Sequence, residues 1–98
     1  MLAIQKVKEV IDALDKDPRE IVDIMREEGV KGHLLSSASC PLACYLKQKV
    51  GEICYVGSRK VSCASDDITV LLTNRLYEFR QAFDMGKYPD LIRRSYLD

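Results

Sequence analysis

Four cysteines, a single histidine and a short run of serines are the residues of this 98-residue chain whose chemistry goes beyond packing. Cys40 and Cys44 are four apart and would share one helix face; with Cys54 and Cys63 they would complete a four-thiolate zinc site. The spacing argues against it, because structural zinc sites draw ligands from short Cys-x-x-Cys-type knuckles, whereas Cys54 and Cys63 stand on opposite sides of a turn. Free cysteine otherwise behaves as a small hydrophobe, and four buried thiols is the plainer reading. A thiol at a helix start can also ionise, which would make Cys40 a nucleophile with His33 as base and Ser39 nearby. The phosphatase loop that ends in an Arg six residues after its Cys is nevertheless missing, since Leu46 and Val50 hold those places and Lys60, six after Cys54, belongs to a strand and turn.

A different chemistry is suggested by Ser36, Ser37, Ser39 and Cys40, which stand where hydroxyls and unpaired N–H groups converge at the positive end of a helix. Lys47, Lys49, Arg59 and Lys60, with Lys31, would add charge if the fold gathered them. The combination describes a site for a small anionic or nucleotide-like ligand. The plainer alternative is a serine-rich loop that does no more than cap its helix.

The elements that must position these residues can be read from pattern and punctuation. Ile4, Val7, Val10, Ile11 and Leu14 recur at helical spacing, so residues 2–15 form an amphipathic helix. That stripe serves either the chain's own core or a homodimer seam. Asp17 caps a second helix with Pro18 in its first turn and Glu20 placed for a capping box, and Gly29 stops it. Residues 31–39 lack a period and read as a loop. Ser39 or Cys40 then caps a third helix, with Pro41 in its first turn, Leu42, Tyr45, Leu46 and Val50 on one side, and Gly51 as its end.

Beyond Gly51 the composition turns β-prone. Residues 53–56 and 60–63 make a hairpin around Gly57-Ser58, and Asp66-Asp67 turns the chain into a third strand over 68–71. Thr73 caps a last helix bearing Leu72, Leu76, Phe79 and Phe83, with Gly86 as its stop, and the tail from Lys87 to Asp98 docks back on the core. The expected fold is therefore α+β: three N-terminal helices, a small antiparallel sheet of two to three strands, and a C-terminal helix in one compact domain over residues 1–98.

Composition narrows the function classes. Fifteen basic and fifteen acidic residues cancel, so neither nucleic acid nor a membrane surface is expected as a bulk-charge partner. Tyr45 and Tyr55 in the basic middle third are too few for a single-strand stacking platform. The distribution is uneven all the same: residues 31–64 carry five basic side chains and one acid. Without a signal peptide pattern or a long apolar run, the chain reads as cytoplasmic, and its cysteines as free thiols. Dinucleotide, phosphate-loop, zinc-protease, calcium-loop and nucleophile-elbow motifs are all missing.

Three segments carry a resemblance: Gly29-Val30-Lys31-Gly32, then Cys40-Pro41-Leu42-Ala43-Cys44-Tyr45-Leu46, then Phe79 through Phe83-Asp84-Met85-Gly86-Lys87-Tyr88-Pro89-Asp90-Leu91. Over about residues 20–92 the chain resembles small uncharacterised bacterial and phage-type proteins with a Cys-Pro-x-Ala-x-Tyr-Leu helix and a Phe-Asp-x-Gly-x-Tyr-Pro-x-Leu C-terminal segment. The resemblance implies a stand-alone compact domain of phage or mobile-element origin, and it brings no activity or catalytic residues with it. The sequence thus points to a non-enzymatic interaction or regulatory protein that binds a protein partner and needs no cofactor. The anionic-ligand binder is the alternative, and a Cys-dependent enzyme or zinc module the weaker one.

Overall fold

In the computed structural model, residues 3–57, 59–63 and 69–92 are described. The helices are α1 (Ala3–Leu14), α2 (Pro18–Glu27), α3 (Pro41–Val50) and α4 (Asn74–Asp84), and a 3-10 turn covers Pro89–Leu91. Strands β1 (Cys54–Val56), β2 (Lys60–Cys63) and β3 (Thr69–Leu71) form an antiparallel sheet in the order β1-β2-β3. The α+β expectation is met, with the sheet three-stranded. Ile53 lies outside β1 and is exposed, while Ser58, Asp66, Asp67 and Ile68 fall outside the described residues.

Local chemistry accounts for most boundaries. The Asp17 carboxylate accepts the Arg19 N–H at 3.0 Å, and Pro18 occupies the first turn where it forfeits no hydrogen bond. At the other end Gly29 takes φ +68°, which lets its own N–H reach the Arg26 carbonyl and the Val30 N–H reach that of Met25. This is a full Schellman closure with Val30 buried beneath it. Helix α4 ends in the same way, on Gly86 and Lys87. Thr73 starts α4 by accepting the Leu76 N–H.

Glu27 and Glu28 in the last turn of α2 oppose its dipole. Glu28 is compensated from outside the helix: Lys49 donates to it at 2.8 Å and Gln48 at 3.1 Å, both from α3. The lysine's hydrogen bond and charge hold the Glu28 carboxyl below its ordinary range.

Helices α1 and α3 lie against one side of the sheet, and α2 packs on α4. Ile4, Val7, Ile11 and Leu14 are all buried, so the stripe on α1 is used within the chain. They join Cys54, Val56, Val61 and Cys63 from the sheet's inner side, Leu42 and Leu46 from α3, and Leu76, Phe79 and Phe83 from α4. Burying each large aliphatic or aromatic side chain is worth about 1.5–3 kcal/mol. The described part of the tail docks as expected: Leu91 is buried, Tyr88 stacks on Phe79 with ring centroids 5.7 Å apart, and Arg26 bridges to Asp90 at 2.5 Å.

Candidate functional site

The serine run and the start of α3 are drawn together by backbone bonds. Gly32 donates to the Leu91 carbonyl at 2.9 Å and pairs with Ile92 in a short parallel bridge, while His33 donates to the Ser39 carbonyl at 2.7 Å. This lays residues 32–33 directly over the helix start. A side chain at Gly32 would run into the backbone of Ser39, Cys40 and Pro41, so the close approach demands glycine.

Two of the N–H donors that would cradle an anion, those of Ser39 and Ala43, are engaged inside the chain. Ser36 accepts the Ser39 N–H through its hydroxyl at 3.0 Å, and the Ser37 carbonyl accepts the Val56 N–H at 2.8 Å, tying the loop to β1. Cys40 is the N-cap: its fully buried sulfur accepts the Ala43 N–H at 3.4 Å, and Pro41, next in line, has no N–H to offer. Cys44 donates its thiol to the Ser39 carbonyl at 3.6 Å. Burial pushes the Cys40 thiol up, outweighing the Ala43 hydrogen bond and the charge of Arg80, so the sulfur is held as a neutral thiol. Among the described residues no hydrogen bond joins the His33 ring to Cys40, and no cluster of three or more His, Cys, Asp or Glu has the arrangement of a metal site.

The basic residues disperse to two places. Lys49 pairs with Glu28 and lies 5.4 Å from the centre of the Tyr45 ring. Lys47 is exposed beside a cleft of about 380 Å³ whose walls include Lys31, Cys44 and Gln48. Arg59 and Lys60 belong to the hairpin instead. The Arg59 guanidinium sits 4.2 Å from the centre of the Tyr77 ring of α4, and Lys60 opposite Leu71 opens β2.

A further network joins α4 to two loops. Arg80 of α4 is largely buried, donates to the Gly57 carbonyl in the hairpin turn, and lies 3.8 Å from Asp84. Asp84 in turn accepts the Leu35 N–H at 3.0 Å, and Leu35 has φ +54°, a left-handed conformation rare for a branched side chain. The Arg80 Nε is buried and has no hydrogen-bond partner among the described residues. An i,i+4 Arg-Asp pair on α4 was visible, but nothing local announced that it would clamp two loops.

The remaining surface of interest is the outer side of the sheet. Residues alternate strictly, so Tyr55, Lys60, Ser62, Thr69 and Leu71 point away from α1 and α3. Tyr55 and Leu71 are 41% and 70% exposed, and Ile53, just before β1, is 46% exposed. Antiparallel sheets with one wet side ordinarily carry polar groups there.

No family model matches the chain, and no curated protein or solved structure matches it. Among the described residues no helix is long and apolar enough to cross a membrane.

Proposed function

We propose that the chain is a small non-enzymatic interaction and regulatory protein, acting in the cytoplasm by binding a protein partner through the outer side of its sheet. The observation that carries the reading is the exposure of Tyr55 and Leu71 on the side of the sheet opposite α1 and α3, with Lys60 across from Leu71 and Ile53 exposed just before β1. Large apolar side chains left exposed on one side of a sheet are characteristic of docking surfaces, and tyrosine is favoured in them. The described strands hold Lys60 and no acid, with Arg59 beside them, so the complementary partner presents apolar groups around a carboxylate. The resemblance to bacterial and phage-type proteins fits a regulator encoded by a phage or mobile element.

The test is affinity capture with the purified chain from lysate of its native host, run beside the double variant Tyr55→Asp/Leu71→Asp and the control Met85→Asp, whose exposed side chain follows α4. One discrete protein should be retained by the wild type and the control and lost with the double variant, while all three melt within a few degrees of one another. Equal retention by the double variant would refute the surface.

A further inference from the structure

Cys54 and Cys63 face one another across the β1–β2 ladder with their sulfurs 3.7 Å apart. Backbone hydrogen bonds establish which kind of pair this is. Gly57 donates to the Lys60 carbonyl, which makes those two a hydrogen-bonded pair, and the Val56 N–H turns away from β2 to the Ser37 carbonyl. On the far side of β2 the Leu72 N–H meets the Arg59 carbonyl, with the same phase. Bonded and non-bonded pairs alternate along an antiparallel ladder, so Val56 with Val61 and, two residues on, Cys54 with Cys63 are both non-bonded pairs. Such pairs bring their Cα atoms to about 4.5 Å, within the roughly 4.4–6.8 Å that a disulfide spans. Cys40 and Cys44 differ, being successive-turn neighbours with thiols directed at Ala43 and Ser39.

We infer that Cys54 and Cys63 form a redox modification site, a cross-strand dithiol that a low-molecular-weight disulfide of the glutathione type converts to an intramolecular disulfide. One cysteine, as thiolate, attacks a sulfur of the small disulfide, forming a mixed disulfide and expelling one small thiolate. The second cysteine, deprotonated in turn, attacks the protein sulfur of that mixed bond and expels the other. Two protein thiols and one small disulfide become one protein disulfide and two small thiols, with two electrons passing to the small molecule. Burial, with the Cys63 hydrogen bond adding to it, pushes the Cys54 thiol up to about 12, so exchange is slow in the closed sheet. It proceeds when the start of β1 lifts, at a three-residue edge strand that begins next to exposed Ile53. The bond ties together the two strands that carry Tyr55 and Lys60, and it rests on hairpin geometry alone, whatever binds the outer side.

The experiment equilibrates the purified full chain with graded ratios of oxidised to reduced glutathione, followed by intact mass, peptide mapping after alkylation, and thermal melting. Expected are a loss of two hydrogens, a peptide linking Cys54 to Cys63, alkylation of Cys40 and Cys44, and a melting temperature raised on the order of 10 °C and restored by reductant. Persistent glutathione adducts, a Cys40–Cys44 link, or four alkylated cysteines at the most oxidising ratio would each overturn it. Because the map is made on the wild type, no variant has to fold for the result to count.

Discussion

The start of α3 and the outer side of the sheet invert one another. At the helix start stand the residue types associated with ligand binding, and two of its N–H donors are spent on the chain itself, Ser39 N–H on Ser36 and Ala43 N–H on Cys40, with Gly32 and His33 lying across the top. On the sheet's outer side stand ordinary strand formers, and Tyr55 and Leu71 remain in water. Residue type sets what a position could bind. Whether it does depends on what the rest of the chain has already placed there.

The contrast can be broken most severely at Gly32. Gly32→Ala drives a methyl into the backbone of Ser39, Cys40 and Pro41, and neither side can yield without unseating the helix start. A loss of more than about 3 kcal/mol is expected, read as a collapse of the denaturant midpoint; a change under about 1 kcal/mol would mean that the start of α3 is not held closed.

A smaller effect is expected from the clasp that holds the tail in place. The Asp90 carboxyl is kept below its ordinary range, first by the hydrogen bond from Arg26, with a backbone hydrogen bond and nearby positive charge adding to it. With the folded pKa depressed, its stabilisation is complete above about pH 5, the upper limit of ordinary Asp titration, and is lost as pH falls through the folded value. Asp90→Asn should therefore lower the melting temperature modestly at pH 7 and converge with the wild type in acid, since Arg26 and Asp90 are both well exposed and screened. Parallel melting curves for the two proteins from pH 7 down to pH 3 would show the clasp to be inert.

The smallest effect sharpens the same contrast. Inorganic phosphate at millimolar concentration should leave the melting temperature of the wild type unchanged beyond a general salt effect matched by chloride. A specific rise that disappears in Ser39→Ala/Lys49→Ala would restore the anion reading of the helix start.

Much of the architecture was legible because its causes are local. Asp17, Cys40 and Thr73 cap their helices through their own side chains, Gly29, Gly51 and Gly86 end them with positive φ, and Gly57 marks the hairpin. Of the two caps considered for α3, Cys40 rather than Ser39 does the work, and Asp17 bonds the N–H of Arg19, one residue short of the capping-box position. The site was less legible because its causes are distant. That the start of α3 is covered depends on Gly32, Leu91 and Ile92. That Arg80 clamps the hairpin turn, and that Asp84 holds Leu35 in a left-handed conformation, depends on how α4 approaches two loops. Lys49 and Lys60, grouped by sequence as one basic third, are separated because α3 delivers the first to the end of α2 and the hairpin keeps the second.

The hydrogen bond from Gly32 to Leu91 also has a consequence in time. A ribosome adding about 5–20 residues per second makes the Ser36–Cys40 segment several seconds before it makes Leu91. Over that interval Gly32, which lies across the start of α3, lacks the Leu91 carbonyl to which it donates in the finished molecule. The loop over the helix start is thus anchored last, when the C-terminal segment arrives to pair with it.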